Sequence, residues 1–214
     1  EQIFLKRMFD IVASFVGLIL ISPILIIVTI LIKLTSKGPV LYKQERITKE
    51  NKSFMLVKFR TMSVNAEENT GPVLSEENDP RVTPIGRILR KTRIDELPQL
   101  INVLKGEMSL VGPRPERPFF VEQFIHDMPE YSHRFTVKAG ITGYAQVLGN
   151  YSTSPEDKLR YDLMYIRNYS LLLDIKLLFQ TIRVLFTSGS AYKKDTPSSI
   201  AKAESAASKH RATR

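Results

Sequence analysis

The feature that most constrains this chain is an uncharged run, IVASFVGLILISPILIIVTILI, set between Asp10 and Lys33. It meets the roughly 20-residue length that one helix needs to cross a bilayer. Ser22-Pro23 falls at its centre. Proline removes a backbone donor and clashes with the carbonyl four residues earlier, while the serine hydroxyl can bond a carbonyl so freed. Each half is then about 11 residues, roughly 16 Å of helix, too short for a hydrocarbon core of about 30 Å. Lys6 and Arg7 precede the run, and Lys33, Lys37, Lys43 and Arg46 follow it. Cations on both flanks favour two cytoplasmic ends. The pattern therefore predicts a re-entrant helix hairpin broken at Ser22-Pro23 over residues 1–36, ahead of a kinked spanning helix or a buried core helix.

Beyond the run, Gly38-Pro39 makes a turn, and PVLYKQERI and FMLVKFRTM read as two strands of a β-hairpin. Residues 65–81 read as a loop. Helices are expected at 85–92, 97–104, 119–127, 157–168 and 171–186. The fold class is α+β, mostly helical with a small β-hairpin. The apolar stretch 169–186 carries Asp174, Lys176 and Arg183, so it suits an amphipathic interfacial helix, as does the segment around Pro118-Phe119-Phe120. Ordinary core packing is the competing reading for both. One catalytic domain is expected over 37–188, and 189–214 forms a basic Ser/Ala/Lys tail too poor in apolar residues to pack.

The net charge of +9 points to anionic partners. The absence of cysteine excludes disulfides, thiolate metal sites and a cysteine nucleophile, and three histidines leave little for a histidine-rich site. A metal would be a hard ion held by carboxylates, such as Mg2+. Nucleic acid is not expected, because no basic aromatic stripe or recognition motif is present.

The densest chemistry lies in DPRVTPIGRILRKTRIDELPQLINVLKGEMSLVGPRPE, where Asp95 and Glu96 follow Arg87, Arg90, Lys91 and Arg93. A carboxylate can attack phosphorus to form an acyl phosphate, and one or two carboxylates plus substrate phosphates suffice for magnesium. The same pair also suits a helix N-terminus, with Asp95 as N-cap and Glu96 opposing the dipole. Arg114, bracketed by Pro113 and Pro115, presents a guanidinium from a stiff backbone and suits a phosphate clamp or a plain surface turn. Lys58 and Arg60 share one face of the second strand. Gly140-Ile141-Thr142-Gly143-Tyr144 is a Gly-punctuated loop whose backbone could approach a nucleotide and whose Tyr144 could stack on a base. Asp162, Tyr165 and Asp174 make a weaker set.

Lys6-Arg7, Phe9-Asp10, Ser22-Pro23, Lys58-Phe59-Arg60-Thr61-Met62, Asp95-Glu96-Leu97-Pro98-Gln99, Asn102-Val103-Leu104, Met108-Ser109-Leu110-Val111-Gly112-Pro113-Arg114-Pro115 and Gly140-Ile141-Thr142-Gly143 together resemble the bacterial sugar transferase family. These are polyprenyl-phosphate phosphoglycosyltransferases with a single re-entrant membrane helix. The resemblance implies transfer of a sugar-1-phosphate from a UDP-sugar to polyprenyl phosphate, with release of UMP. It implies a site on the cytoplasmic face of the bacterial inner membrane, resting on the lipid bilayer. Asp95 would be the nucleophile, Glu96 with Asp95 the Mg2+ ligands, and Arg90 and Arg114 the phosphate holders. Lys58, Arg60, Arg87, Thr142, Gly143 and Tyr144 complete the candidate phosphate and nucleotide site. The stretch 149–186 resembles the longer branch of the family, whose members carry further membrane helices ahead of this domain. With Glu1 in place of a starting Met, upstream segments are expected. A homodimer stays open, as do two other functions: direct transfer without a covalent intermediate, and a non-catalytic module binding anionic lipid.

Overall fold

The computed structural model describes residues 2–68, 73, 79–149 and 153–187, so the basic tail and part of the 65–81 loop lie outside the described residues. The first element, α1 (Gln2–Thr35), is a continuous helix with Pro23 inside it. Among the described residues it is the helix long and apolar enough to cross a bilayer, by length and composition. The expected break into two halves is not seen. Helical form continues through Ser22-Pro23, and the Ser22 hydroxyl donates to the Ile19 carbonyl at 2.8 Å. That carbonyl is the one proline leaves without its i+4 amide, so the side chain supplies the missing donor locally.

Both ends of α1 are tied to the rest of the protein. Lys6, Asp10 and Ser14, spaced by four residues, form a buried polar stripe. Lys6 Nζ donates to the Val111 carbonyl (3.1 Å), and Asp10 Oδ1 accepts from the Leu110 amide (3.0 Å). At the other end Val28 and Ile32 are buried with Phe59 and Leu89. Between these anchors Ile19, Leu20, Ile26 and Ile27 are more than half exposed.

Strands β1 (Leu41–Ile47) and β2 (Ser53–Phe59) form the expected antiparallel hairpin, in register from Leu41 opposite Phe59 to Ile47 opposite Ser53. Glu50 and Asn51 turn the chain in the left-handed region. Helix α2 (Pro84–Thr92) starts where the Thr83 hydroxyl accepts from the Gly86 amide at 3.0 Å with Pro84 behind it, and ends at Arg93, φ 59°. A 3-10 turn, Ile94–Gln99, leads into α3 (Leu100–Lys105). Strand β3 (Ser109–Val111), helix α4 (Pro118–Asp127), a 3-10 stretch Pro129–Thr136, strand β4 (Gly140–Thr142) and helices α5 (Tyr144–Leu148), α6 (Pro155–Arg167) and α7 (Leu171–Thr187) follow. Strands β3 and β4 pair in parallel, Ser109 with Gly140 and Val111 with Thr142.

The largest apolar core gathers Phe54, Leu56, Val103, Met108, Leu110, Val111, Tyr165 and Leu177 from β2, α3, β3, α6 and α7. It holds the hairpin, the α3 helix that follows the Asp95 turn and the strand leading to Arg114 in one packed body. Leu172, Phe179 and Ile182 on α7 stay more than half exposed, in line with an interfacial helix.

Candidate active site

Asp95 lies in the first turn of the 3-10 segment, not at its cap: Arg93 occupies the cap position in left-handed conformation, without a side-chain capping bond. The N-cap reading of Asp95 therefore fails, because the turn begins at Ile94, two residues earlier than that reading requires, and is a 3-10 turn that contains Pro98. The Asp95 side chain is buried, and its Oδ1 has no hydrogen-bond partner. Such an oxygen is costly to keep. Burial, and then the Glu96 charge, push the Asp95 carboxyl up to about 6, against the pull of Lys58, Arg90 and Arg93.

Glu96 has the opposite environment. Arg114 Nη2 donates to Glu96 Oε1 at 2.7 Å, and Arg93 Nη1 stands 3.7 Å from the same oxygen. Burial alone would raise its carboxyl, yet Arg114, Arg93 and Lys58 hold it down at about 2. Two neighbouring carboxylates thus differ in charge behaviour, one poised near neutrality and one permanently ionised.

Around them stand the cations. Lys58, opposite Tyr42 in the hairpin, is lowered to about 8 by burial and by Arg46, Arg114 and Arg90, with Asp95 opposing. Arg90 on α2 is held to the Thr61 hydroxyl at 2.9 Å. Lys58, Glu96 and Arg114 line a small polar pocket together with Arg46, Gln99 and Pro115. Arg46 and Gln99 were not expected there. The hairpin register shows why Arg46 belongs: counted across the ladder, Tyr42, Gln44 and Arg46 face Lys58, Leu56 and Phe54, so Arg46 shares the Lys58 face.

Several expected residues sit elsewhere. Arg60 lies just past the end of β2, and its guanidinium donates to Lys37 O (2.6 Å), Ser36 O (3.1 Å) and Ser36 Oγ (2.8 Å), closing the C-terminus of α1. Lys58 and Arg60 therefore do not act as one face. Arg87 is exposed on α2. Thr142 is buried, with its hydroxyl 2.7 Å from that of Thr181. Tyr144 packs against the main apolar core. Gly140 and Gly143 have a backbone reason of their own: a Cβ at Gly140 would run into the Gly112 amide nitrogen, and one at Gly143 into the Gly112 carbonyl. Close approach of β4 to the Gly112 turn, not an open nucleotide loop, accounts for both.

Among the described residues no cluster of three or more His, Asp or Glu stands ready for a metal. A magnesium ion needs only one or two carboxylates beside substrate phosphates and water. Asp95, with its unpartnered oxygen, and the ionised Glu96 fit that requirement.

The profile of the bacterial sugar transferase family matches residues 1–188. The chain belongs to this family. It is 46% identical over 187 residues to the UDP-N-acetylgalactosamine-undecaprenyl-phosphate N-acetylgalactosaminephosphotransferase of Aeromonas hydrophila, covering 86% of this chain and 44% of that protein. To the UDP-glucose:undecaprenyl-phosphate glucose-1-phosphate transferase of Escherichia coli it is 42% identical over 193 residues, 88% of this chain and 41% of that one. The chain therefore spans less than half the length of these two relatives. An exopolysaccharide production protein of Rhizobium leguminosarum bv. phaseoli is 40% identical over 201 residues, and there the match covers 88% of this chain and 98% of the relative. The chain thus matches proteins of quite different total length.

Proposed function

We propose that the chain transfers a sugar-1-phosphate from a UDP-sugar to undecaprenyl phosphate, through a covalent phosphosugar on Asp95. One observation carries the reading: a buried carboxylate with an unpartnered oxygen, near neutrality in its titration, stands among Lys58, Arg90 and Arg93 beside the Glu96–Arg114 pair. A carboxylate without a hydrogen-bond partner is a better nucleophile than one already satisfied, and the surrounding cations attract a diphosphate. The names of the relatives supply the substrate class, UDP-sugar and undecaprenyl phosphate, and differ in the sugar.

The Asp95 carboxylate attacks the sugar-bearing phosphorus, and the bond from that phosphorus to the bridging oxygen breaks, so UMP leaves with the electron pair. An acyl phosphate bearing the sugar remains on Asp95. A phosphate oxygen of undecaprenyl phosphate then attacks the same phosphorus, and the Asp95 carboxylate departs. No proton needs to move to a protein group in either step. Arg114, oriented by Glu96, holds phosphate oxygens, and Lys58 and Arg90 add charge where the phosphoryl group passes. Magnesium, held by Glu96 and Asp95 in the complex, would neutralise charge on the diphosphate.

The lipid substrate requires a site at the bilayer, and we infer that α1 enters and leaves the same, cytoplasmic leaflet of the inner membrane. Lys6 near its start and Ile32 near its end both pack on one catalytic domain. Two ends fixed to one water-soluble body share a side of the membrane. Exposed apolar residues between them supply the embedded surface.

The test is UMP release from a panel of UDP-sugars in detergent, with and without undecaprenyl phosphate and Mg2+, beside the intact mass of the protein. Release that needs Asp95, with an added mass of one sugar phosphate in the absence of lipid acceptor, is the expected result. Release by Asp95→Asn, or UMP formed only with lipid present and no adduct, overturns the covalent route in favour of direct transfer.

A further inference from the structure

Arg114 is the exposed member of its pair with Glu96: its side chain is 44% accessible, against 14% for Glu96. Glu96 orients the guanidinium, and the backbone fixes where its flexible stem begins. The backbone of this segment is pinned at almost every residue. The Gly112 amide donates to Thr142 O (2.8 Å), Pro113 O accepts from the Gly140 amide (2.9 Å), Pro115 O accepts from Arg46 Nη1 (3.1 Å) and Glu116 O accepts from the Ile47 amide (3.0 Å). At Arg114 itself the carbonyl accepts from Arg134 Nη2 at 2.8 Å. Here a buried side chain, not a strand neighbour, makes the bond.

Arg134 is almost fully buried, and its Nη2 stands 2.8 Å from Asp162 Oδ2, with side-chain exposures of 5% and 2%. Its Nη1 donates to the Tyr131 hydroxyl. A buried ion pair is poor evidence of stabilisation, since apolar residues of similar volume often serve the fold as well. What an apolar pair cannot do is donate a charge-assisted hydrogen bond to a particular carbonyl. We propose that Arg134, oriented by Asp162 and Tyr131, is a positioning residue for Arg114, fixing the phosphate clamp at its backbone carbonyl while Glu96 holds its guanidinium. The weaker set that includes Asp162 thus has a task in the site without touching substrate.

The inference rests on the reading of Arg114 as a phosphate holder, and UDP is the probe because every UDP-sugar shares it. UDP dissociation constants are measured for the full chain and for Arg114→Ala, Arg134→Lys and the double variant. Lysine keeps the buried positive charge opposite Asp162 but loses the planar fork that serves three partners at once. Each single variant is expected to bind UDP roughly ten-fold more weakly, and the double variant no more weakly than Arg114→Ala alone, because Arg134 acts through Arg114. A merely structural Arg134 would weaken binding by the same factor in both backgrounds, and that result overturns the inference alone. Unchanged UDP binding by Arg134→Lys does the same. If Arg114→Ala binds UDP as the parent chain does, or the parent does not bind UDP, the reading of Arg114 falls and the inference with it. Should Arg134→Lys fail to fold, Arg134→Met with Asp162→Leu replaces it. That pair is expected to fold and still bind UDP weakly, whereas full recovery of binding would overturn the inference.

Discussion

The Lys6 ammonium and the Asp174 carboxylate meet in the protein interior, joining the first turns of α1 to α7 across 168 residues of sequence. Tyr165 completes the cluster: its hydroxyl accepts from Lys6 Nζ at 2.6 Å and donates its single proton to Asp174 Oδ1 at 2.8 Å, with the Val111 carbonyl 3.0 Å away as the alternative acceptor. The long apolar helix α1 is thereby fastened to the strand that runs into Arg114. Lys6→Met should strand a buried carboxylate and lower stability by about 3–5 kcal/mol, the usual cost of breaking a buried pair. Lys6→Met with Asp174→Leu should recover most of it. Thermal unfolding in detergent reads both, and a Lys6→Met variant as stable as the parent would show the pair to be dispensable.

Catalysis should follow the ionisation of Asp95 on the acid side and of Lys58 on the basic side. Asp95, raised to about 6, is protonated below that pH and cannot attack phosphorus. Lys58, lowered to about 8, sheds its charge above that pH and holds phosphate less well. Glu96, at about 2, stays ionised throughout. The expected kcat/KM profile is a bell between about 6 and 8. Lys58→Arg should flatten the upper limb while leaving the lower one, and an unchanged upper limb would remove Lys58 from the account.

The same shift sets a cost in stability. A carboxyl whose folded value lies above its unfolded one, about 3.9, binds more protons folded than unfolded between pH 4 and 6. Stability is therefore lost as pH rises through that window. Above pH 6 the charged Asp95 costs on the order of 2–3 kcal/mol. Asp95→Asn should thus unfold at a higher temperature than the parent at pH 7.5, with the gain shrinking towards pH 4. A gain that does not depend on pH would mean that the Asp95 charge is not its source.

Much of this was legible in the sequence because local signals are strong where the chain is locally determined. Thr83-Pro84 and the residues after Ser154 announce helix starts, and alternation announces the β1–β2 hairpin. Strands β3 and β4 were not legible. Each has three residues, too few for a period, and they pair in parallel across the whole of α4. Asp95, Glu96, Lys58, Arg90 and Arg114 are neighbours in the fold. Arg60 is not among them, since strand parity cannot say where a strand ends, and one residue past that end its side chain finds the carbonyls of α1. Arg134 was not legible, because two of its three partners, Arg114 and Asp162, lie 20 and 28 positions away and the nearby Tyr131 alone marks no site.

The Ser22–Ile19 hydrogen bond leads to a prediction about topology. Helix α1 has enough apolar length to span, so on the proposed re-entrant reading its topology is a balance between straight insertion and docking of each end on the rest of the protein. Pro23 weakens the straight helix at its midpoint by removing one backbone hydrogen bond, and the Ser22 hydroxyl satisfies the carbonyl so freed. Replacing both with leucine restores the ladder and should favour a spanning helix. The chain has no cysteine, so Gln2→Cys provides a single label site. In membrane vesicles of known orientation an impermeant maleimide should reach that cysteine from the cytoplasmic side only. With Ser22→Leu and Pro23→Leu added, a fraction should become reachable from the opposite side, with loss of the Lys6 anchor and of activity in that fraction. Labelling from the opposite side in the variant that keeps Ser22-Pro23 would sink the re-entrant reading, because Lys6 could not then be docked beside Val111.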